Sequence, residues 1–397
     1  MPGFELFGNE ERKELNDVLE NGVLMRYGFD GMRNGHWKAK ELEKEIETRF
    51  DVKHAQLTSS GTTALNVALA VMGVGAGDEV IMPCFTFVAS FESIIASGAT
   101  PVLVDIDDTL TLDPKAVEAA VTPRTKVVMP VHMCGSMAEL DSLKAICDKH
   151  NLYLLEDACQ AFGGSYKGKM LGTIGDAGTF SFDFVKTITC GEGGAMITNN
   201  EDYAVWADQY TDHGHDHQGN DRGAETHPVL GYNFRISELH AAVGLGQIRK
   251  MDDFIRTQRR NHGIIKAALS EIPEVTFRRI PDPEGDSCGF LNFFMPTAEL
   301  SNKVVDAFKE HGIDAYWNYF NNNWDYIRRW EHLKEIKSLF PLSESVKKGL
   351  ETISKQNFDQ SDAIISRNIS CLIKLSWTEE EVKDRAARMA QAIKSIL

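Results

Sequence analysis

The sequence predicts an α/β protein: a large domain with a mostly parallel sheet flanked by helices, followed by a smaller α+β domain. Two observations carry this. Between residues 53 and 200, short apolar runs alternate with helix-length periodic segments, the pattern of parallel strands joined by crossover helices. At 397 residues the chain also exceeds the size at which one hydrophobic core keeps growing. We place the large domain at 1–250 and the small one at 251–397.

In order, the expected strands are HAQLT, DEVIMP, TPVLVD, KVVMPV, LYLLED, GTFSF and AMITN. Between them GTTALNVALAVMG, FVASFESIIASG and AELDSLKAICDKH repeat apolar residues at i, i+3 and i+4 spacing and predict amphipathic helices. From Ser237 to Leu269 a long periodic stretch predicts a helical connector between the domains. After the turn cluster Pro281–Gly285 come a strand (FLNFFMP), a helix (ELSNKVVDAFKEHG), an aromatic stretch (DAYWNYFNNNW) and a closing helix. Thr378 and Glu381 have the spacing of a capping box for that last helix.

Composition narrows the partners. With 42 basic against 58 acidic residues the chain carries a net charge of −16, which argues against nucleic acid or a membrane surface, because phosphates are bound by cationic patches. The seven cysteines are scattered and form no C-x-x-C pair, so neither a disulfide framework nor a thiolate zinc site is expected. The N-terminus lacks the basic start and apolar run of a signal peptide, and no stretch approaches about 18 uninterrupted apolar residues. A cytoplasmic protein with small-molecule partners is the expectation.

Nucleotide motifs give little. Gly163 to Met170 matches G-x-x-x-x-G-K but ends in Met where a hydroxyl must hold Mg²⁺, and no helix pattern follows. Gly73-Val-Gly75-Ala-Gly77 precedes a strand and reads as a helix stop. Asp212-His213-Gly214-His215-Asp216-His217 places three histidines at alternate positions of a loop, a poor geometry for a metal, and no metal is expected.

Three other features converge. Thr58-Ser-Ser-Gly61-Thr62-Thr63 follows a strand and opens a helix with no early acid, so free backbone N–H groups and hydroxyls can cup an anion. Leu155-Glu156-Asp157 ends a buried strand in an acidic pair, costly unless it meets a cation such as a protonated ring nitrogen. Lys186, one strand later in SFDFVKTITCGEGG, reaches the same sheet edge. Anion cup, buried acid and lysine together outline pyridoxal 5'-phosphate, with its phosphate at Gly61 and Thr62, its ring nitrogen on Asp157 and its aldehyde on Lys186.

Over most of its length the chain resembles the DegT/DnrJ/EryC1/StrS sugar aminotransferases, fold-type I pyridoxal-phosphate enzymes. The resemblance lies in SSGTTAL, GDEVIMPCFTFVAS, GATPVLVDID, PRTKVVMPVHMCG, the stretch from Glu156 to Asn199, the His213-Gly214 pair, and GYNFRISELHAAVGLGQI. It implies that Lys186 anchors the cofactor and shuttles the proton, and that Asp157 keeps the ring nitrogen protonated. It further implies that Phe87 stacks on the ring, Gln160 meets the ring hydroxyl, and Gly61, Thr62 and Ser181 hold the phosphate. Asn233 is expected from a second subunit, making a homodimer with a shared site. Relatives with His in place of this lysine are 3-dehydratases, so Lys186 implies transamination from L-glutamate to a sugar carbonyl. No arginine is assigned to the glutamate carboxylate by motif spacing, and Glu192 has no role.

The segment NGVLMRYGFDGMRNGHWKAKELE is longer than its counterpart in matching members and adds Arg26, Arg33, His36 and Lys38 to an acidic protein. With His213, these are the expected substrate contacts, and they suggest an anionic acceptor. The insert together with SFDFVKTITCGEGG is most similar to members that aminate an oxidised Kdo, 8-oxo-3,8-dideoxy-manno-octulosonate, in lipopolysaccharide biosynthesis. The alternative acceptor is a nucleotide-linked keto sugar. A non-catalytic cofactor sensor is a further alternative, but no attached signalling segment is visible.

Overall fold

The computed structural model describes residues 2–219 and 222–397. Its central sheet has seven strands: β1 (His54–Thr58), β2 (Glu79–Pro83), β3 (Thr100–Val104), β4 (Thr125–Val128), β5 (Tyr153–Asp157), β8 (Ala177–Ser181) and β9 (Gly194–Thr198), in the order β1-β9-β8-β5-β4-β2-β3. The short strands β6 (Ser165–Tyr166) and β7 (Lys169–Met170) form a separate hairpin. Only β9 runs against its neighbours, and the register of β8 on β5 pairs Asp157 with Thr179. β2, β8 and β9 are buried along their whole length. Strands covered on both faces read as unbroken apolar runs, which is why the sequence shows them so clearly.

Helices cover both faces. Gly61–Val71 and Val88–Ala96 pack into one apolar layer with Val80, Met82, Val127 and Leu155, and Leu140–His150 into the other with Ile81, Val128 and Leu154. The stretch matching a phosphate loop is the β6–β7 hairpin, turned by Lys167 (φ 51°) and Gly168 (φ 80°), with no helix after it.

The expected single connector is two helices, Glu238–Ile248 and Met251–Ser270. The break falls at Arg249–Lys250, where Lys250 has φ −96° and ψ 1°. The second helix buries Met251, Phe254 and Ile255 in the large sheet's core and Ile265 and Leu269 in the C-terminal core. That core surrounds an antiparallel sheet, β10 (Thr276–Phe277), β11 (Phe290–Phe294), β12 (Tyr316–Trp317) and β13 (Asn368–Leu372), in the order β10-β11-β13-β12. The capping box is present: Thr378 Oγ1 accepts from Glu381 N–H at 3.3 Å, and Glu381 Oε2 accepts from Thr378 N–H at 2.7 Å.

Residues 319–365 fold back from this sheet onto the large one, where Tyr319, Tyr326, Trp330, Val346 and Leu350 join the layer around Phe85 and Phe91. This return brings the aromatic stretch beside the C-terminal ends of the parallel strands, the edge at which open α/β sheets bind ligands. No helix among the described residues is long and apolar enough to cross a membrane.

Candidate active site

β1 ends at Thr58, and the chain turns into the Gly61–Val71 helix through a reciprocal cap. Ser60 Oγ accepts from Thr63 N–H at 3.1 Å, and Thr63 Oγ1 accepts from Ser60 N–H at 2.9 Å. The cap uses the N–H of Thr63 and leaves those of Gly61 and Thr62 facing outward with the positive end of the helix. A Cβ on Gly61 would lie 2.7 Å from Ser181 Cβ and 3.2 Å from Cys159 Sγ, so only glycine lets β8 close against this turn. From the other side, a Cβ on Gly194 would sit 2.4 Å from the Ser60 carbonyl oxygen.

Asp157 ends β5 with 3% of its surface exposed. Its Oδ2 accepts the Ser90 hydroxyl at 2.7 Å, and its Oδ1 accepts the Cys159 N–H at 3.2 Å. Ser90 also shares a 2.8 Å hydrogen bond with Thr86, in the turn that presents Phe87, whose ring is 48% exposed. The neighbouring acid, Glu156, is used differently. It accepts backbone N–H groups of Gly172, Ile174 and Gly175 and pairs with His132 at 3.0 Å, so it holds the loop before β8. Gln160 is half-buried, its Oε1 receiving the Cys134 N–H at 2.8 Å.

Lys186 is half-buried in an excursion between β8 and β9. The excursion is closed by Phe182 N–H to Gly193 O at 2.8 Å and Cys190 N–H to Phe182 O at 3.0 Å, and turned by Lys186 N–H to Asp183 O at 3.0 Å. Lys186 lies within electrostatic reach of Cys159, whose thiol is held well above its ordinary value by burial and by Asp157. Gly61, Ser181, Cys159, Asp157 and Lys186 thus share one end of the sheet, with Phe87 beside them. Asn233 and His213 stand elsewhere, exposed on a ribbon where His213 N–H donates to Tyr232 O at 3.0 Å. Phe234 O fastens that ribbon to Ser59 N–H at 2.8 Å.

Most cations of the insert have partners within the chain. Arg26 is buried and paired with Glu43 at 2.5 Å, and burial, which opposes its charge, is outweighed by that carboxylate. Arg33 is 0% exposed, donates to Gly28 O at 2.7 Å and to Met25 O, and stacks 3.8 Å over Trp37. Lys38 is buried between Glu14 at 2.6 Å and Asp17 at 2.7 Å. His36 is half-buried, 3.7 Å from Asp17. Arg26, Arg33 and Lys38 tie the insert to the helices around it. The histidine-rich loop is likewise knit by ion pairs, with His217 between Asp208 at 2.6 Å and Asp212 at 2.8 Å.

Sequence reasoning missed two polar residues at this end of the sheet. Ser90 is a hydroxyl on a buried helix face, and Asp325 is an acid inside the aromatic run NNNWDY. For Ser90 the signal is a polar residue within the apolar pattern of its helix, whereas Asp325 has none in the sequence.

The model of the DegT/DnrJ/EryC1/StrS aminotransferase family matches residues 6–382. The chain belongs to that family. Among relatives of this aminotransferase, GDP-perosamine synthase of Vibrio cholerae is 34% identical over 353 residues, covering 86% of this chain and 89% of that protein. GDP-perosamine synthase of Caulobacter vibrioides is 40% identical over 261 residues, 66% of this chain and 68% of its own. A solved 3-amino-5-hydroxybenzoic acid synthase superposes with a TM-score of 0.83 at 31% identity, covering 98% of this chain and 97% of that one. The sugar aminotransferase is therefore a pyridoxal-phosphate enzyme of fold-type I. Its residues fit that cofactor: a helix N-terminus with free N–H groups, a cradle that a Cβ at Gly61 would fill, an exposed ring at Phe87, and a lysine beside a buried acid.

Proposed function

We propose that the enzyme moves the amino group of L-glutamate to the carbonyl of an anionic sugar, in the assembly of a surface polysaccharide, and that Lys186 is the proton-carrying residue. When bound, the cofactor supplies an electron sink for the carbon that loses its proton. The chain's own residues do the rest. Lys186 takes a proton from one carbon and returns it to another, Asp157 holds a proton on the ring nitrogen, and Phe87 fixes the ring plane. Gly61, Thr62 and Ser181 hold the phosphate, and Gln160 faces the ring hydroxyl. The observation that carries this reading is that Lys186 and Asp157 both act on Cys159, whose sulfur lies against the Gly61 turn.

For the acceptor, support comes from a cleft of about 610 Å³ lined by Asn321, Asn322, Asn323 and Arg329 together with the acids Glu92 and Glu331. Arg329 donates there to the Phe320 carbonyl at 3.3 Å. The Arg329 guanidinium supplies the cation that a sugar acid such as 8-oxo-3,8-dideoxy-manno-octulosonate needs, while the amides and the two acids suit its hydroxyls. The names of the two perosamine synthases favour a second reading, a keto sugar linked to a nucleotide diphosphate. Exposed Leu230, Tyr232 and Asn233, with Phe184 and Val185 beside Lys186, support a homodimer that completes the site. In this reading the protein works in the cytoplasm, with residues 1–250 as the large domain and 251–397 as the small one.

The test is a two-stage reaction. Glutamate converts the enzyme to its amino form, and a panel of sugar acids and nucleotide-linked keto sugars is then scored for return of the visible absorption. Lys186→Ala abolishes both stages. Turnover by that variant would sink the assignment, whereas return of absorption with the nucleotide sugar alone selects the second reading.

A further inference from the structure

The segment that folds back from the C-terminal sheet carries an acid into the site. Thr86 N–H donates to Asp325 O at 2.8 Å, Phe85 and Tyr326 form a bridge, and Ile327 N–H reaches Cys84 O at 3.3 Å. Asp325 is therefore fastened to the same turn that presents Phe87 and, through Thr86 and Ser90, to the side chain of Asp157. It is 4% exposed, and its Oδ1 is shielded from solvent with no hydrogen-bond partner among the described residues. A buried carboxylate oxygen left unpaired is costly, and such a cost at a functional site calls for a partner.

The groups facing Asp325 name that partner. Cys134 and Tyr319 lie within electrostatic reach, but burial holds both above their ordinary values, so neither carries charge near neutral pH. Arg278 acts on Cys134, and its guanidinium is directed at the carbonyls of Thr109 and Met133. Lys186 is the cation that acts on Asp325. Lys186 also acts on Cys159, whose N–H donates to Asp157 Oδ1 at 3.2 Å.

We propose that Asp325 is a positioning residue for Lys186, a buried counter-carboxylate that holds the proton on Nζ and sets the pH at which the lysine is released to act. The proposal rests on the reading of Lys186 as the residue that carries the cofactor. Burial, only partly offset by Lys186, leaves the Asp325 carboxyl raised to about 6. Above that pH the acid is charged and favours the protonated lysine, and below it the hold is lost.

The test reads the visible absorption of the cofactor linked to Lys186 as pH is varied in the loaded enzyme, without turnover. A nearby negative charge favours the protonated link, so Asp325→Asn should move its deprotonation midpoint down by about one pH unit. Asp325→Glu should keep the midpoint near the wild-type value. Asp325→Ser, equally uncharged and smaller, should repeat the shift if the amide is not tolerated. An unchanged midpoint in either uncharged variant, or an equal shift in Asp325→Glu, overturns the proposal. Absence of the visible link in the wild type, or its persistence in Lys186→Ala, would instead overturn the reading of Lys186, and the proposal would fall with it.

Discussion

The Ser90 hydroxyl donates a hydrogen bond to Asp157 Oδ2 across 2.7 Å in a buried setting, tying the Val88–Ala96 helix to the end of β5. Both residues are nearly inaccessible, so water cannot replace the bond. A hydrogen bond to an ionised acid contributes about 1.5–3 kcal/mol. Ser90→Ala should weaken retention of pyridoxal phosphate by roughly tenfold or more while leaving the fold intact. Spectroscopic titration of the apoenzyme measures this, and unchanged affinity would show that Asp157 is held by other means.

Gly194 lies where β9 crosses the Ser60–Gly61 turn. A methyl group there would meet the Ser60 carbonyl oxygen at 2.4 Å and the Gly61 nitrogen at 2.7 Å, both backbone atoms that cannot rotate aside. Gly194→Ala should therefore displace the Gly61 and Thr62 N–H groups. Affinity for pyridoxal phosphate should fall at least about tenfold, and affinity for pyridoxal without the phosphate should change less, because an anion at a helix N-terminus depends on those N–H groups. Comparing the two dissociation constants separates this from general misfolding. Equal losses for both ligands would count against a phosphate cup at Gly61.

The parallel sheet was legible because doubly covered strands leave unbroken apolar runs, and Asp157 because an acid stands out at the end of one. The pairing of the insert's cations was not legible, for an equally physical reason. Arg26, Arg33 and Lys38 have the same spelling whether solvated, ligand-bound or turned inward, and what decides among these is Glu43, Glu238 and Glu14. Glu238 and Glu14 lie outside the insert, on other helices. Periodicity likewise hides the break at Arg249–Lys250, since a bend between helices need not interrupt the apolar spacing. Asp325 carried no pattern at all; its place is set by the return of residues 319–365 onto the large sheet.

Arg26 should behave as part of the scaffold. Removing one member of a buried pair leaves the other charge uncompensated, at about 3–5 kcal/mol. Arg26→Ala should accordingly lower the denaturation midpoint strongly without changing the KM for the sugar acceptor in the fraction that remains folded. Adding Glu43→Gln should recover part of the loss, because burial already pushes the Glu43 carboxyl upward. A selective rise in acceptor KM in Arg26→Ala would return the insert to the substrate site.

His217 makes the loop after residue 211 sensitive to alkaline pH. Burial pulls its pKa down, but hydrogen bonds to Asp208 and Asp212 outweigh this and raise it to about 9. The unfolded chain binds that proton with an ordinary pKa of about 6.5. A folded value above the unfolded one means that the contribution is fully present below about pH 6.5 and is lost as pH rises through about 9. For a partly screened ring the contribution is on the order of 2 kcal/mol. His217→Gln, which can still hydrogen-bond but does not titrate, should flatten this part of the stability–pH curve between pH 6.5 and 9 while the wild type declines. Urea denaturation across that range measures it, and parallel curves for the two proteins would mean that Asp208 and Asp212 are neutralised by other groups, with Arg222 and Arg235 already bonded to Asp212.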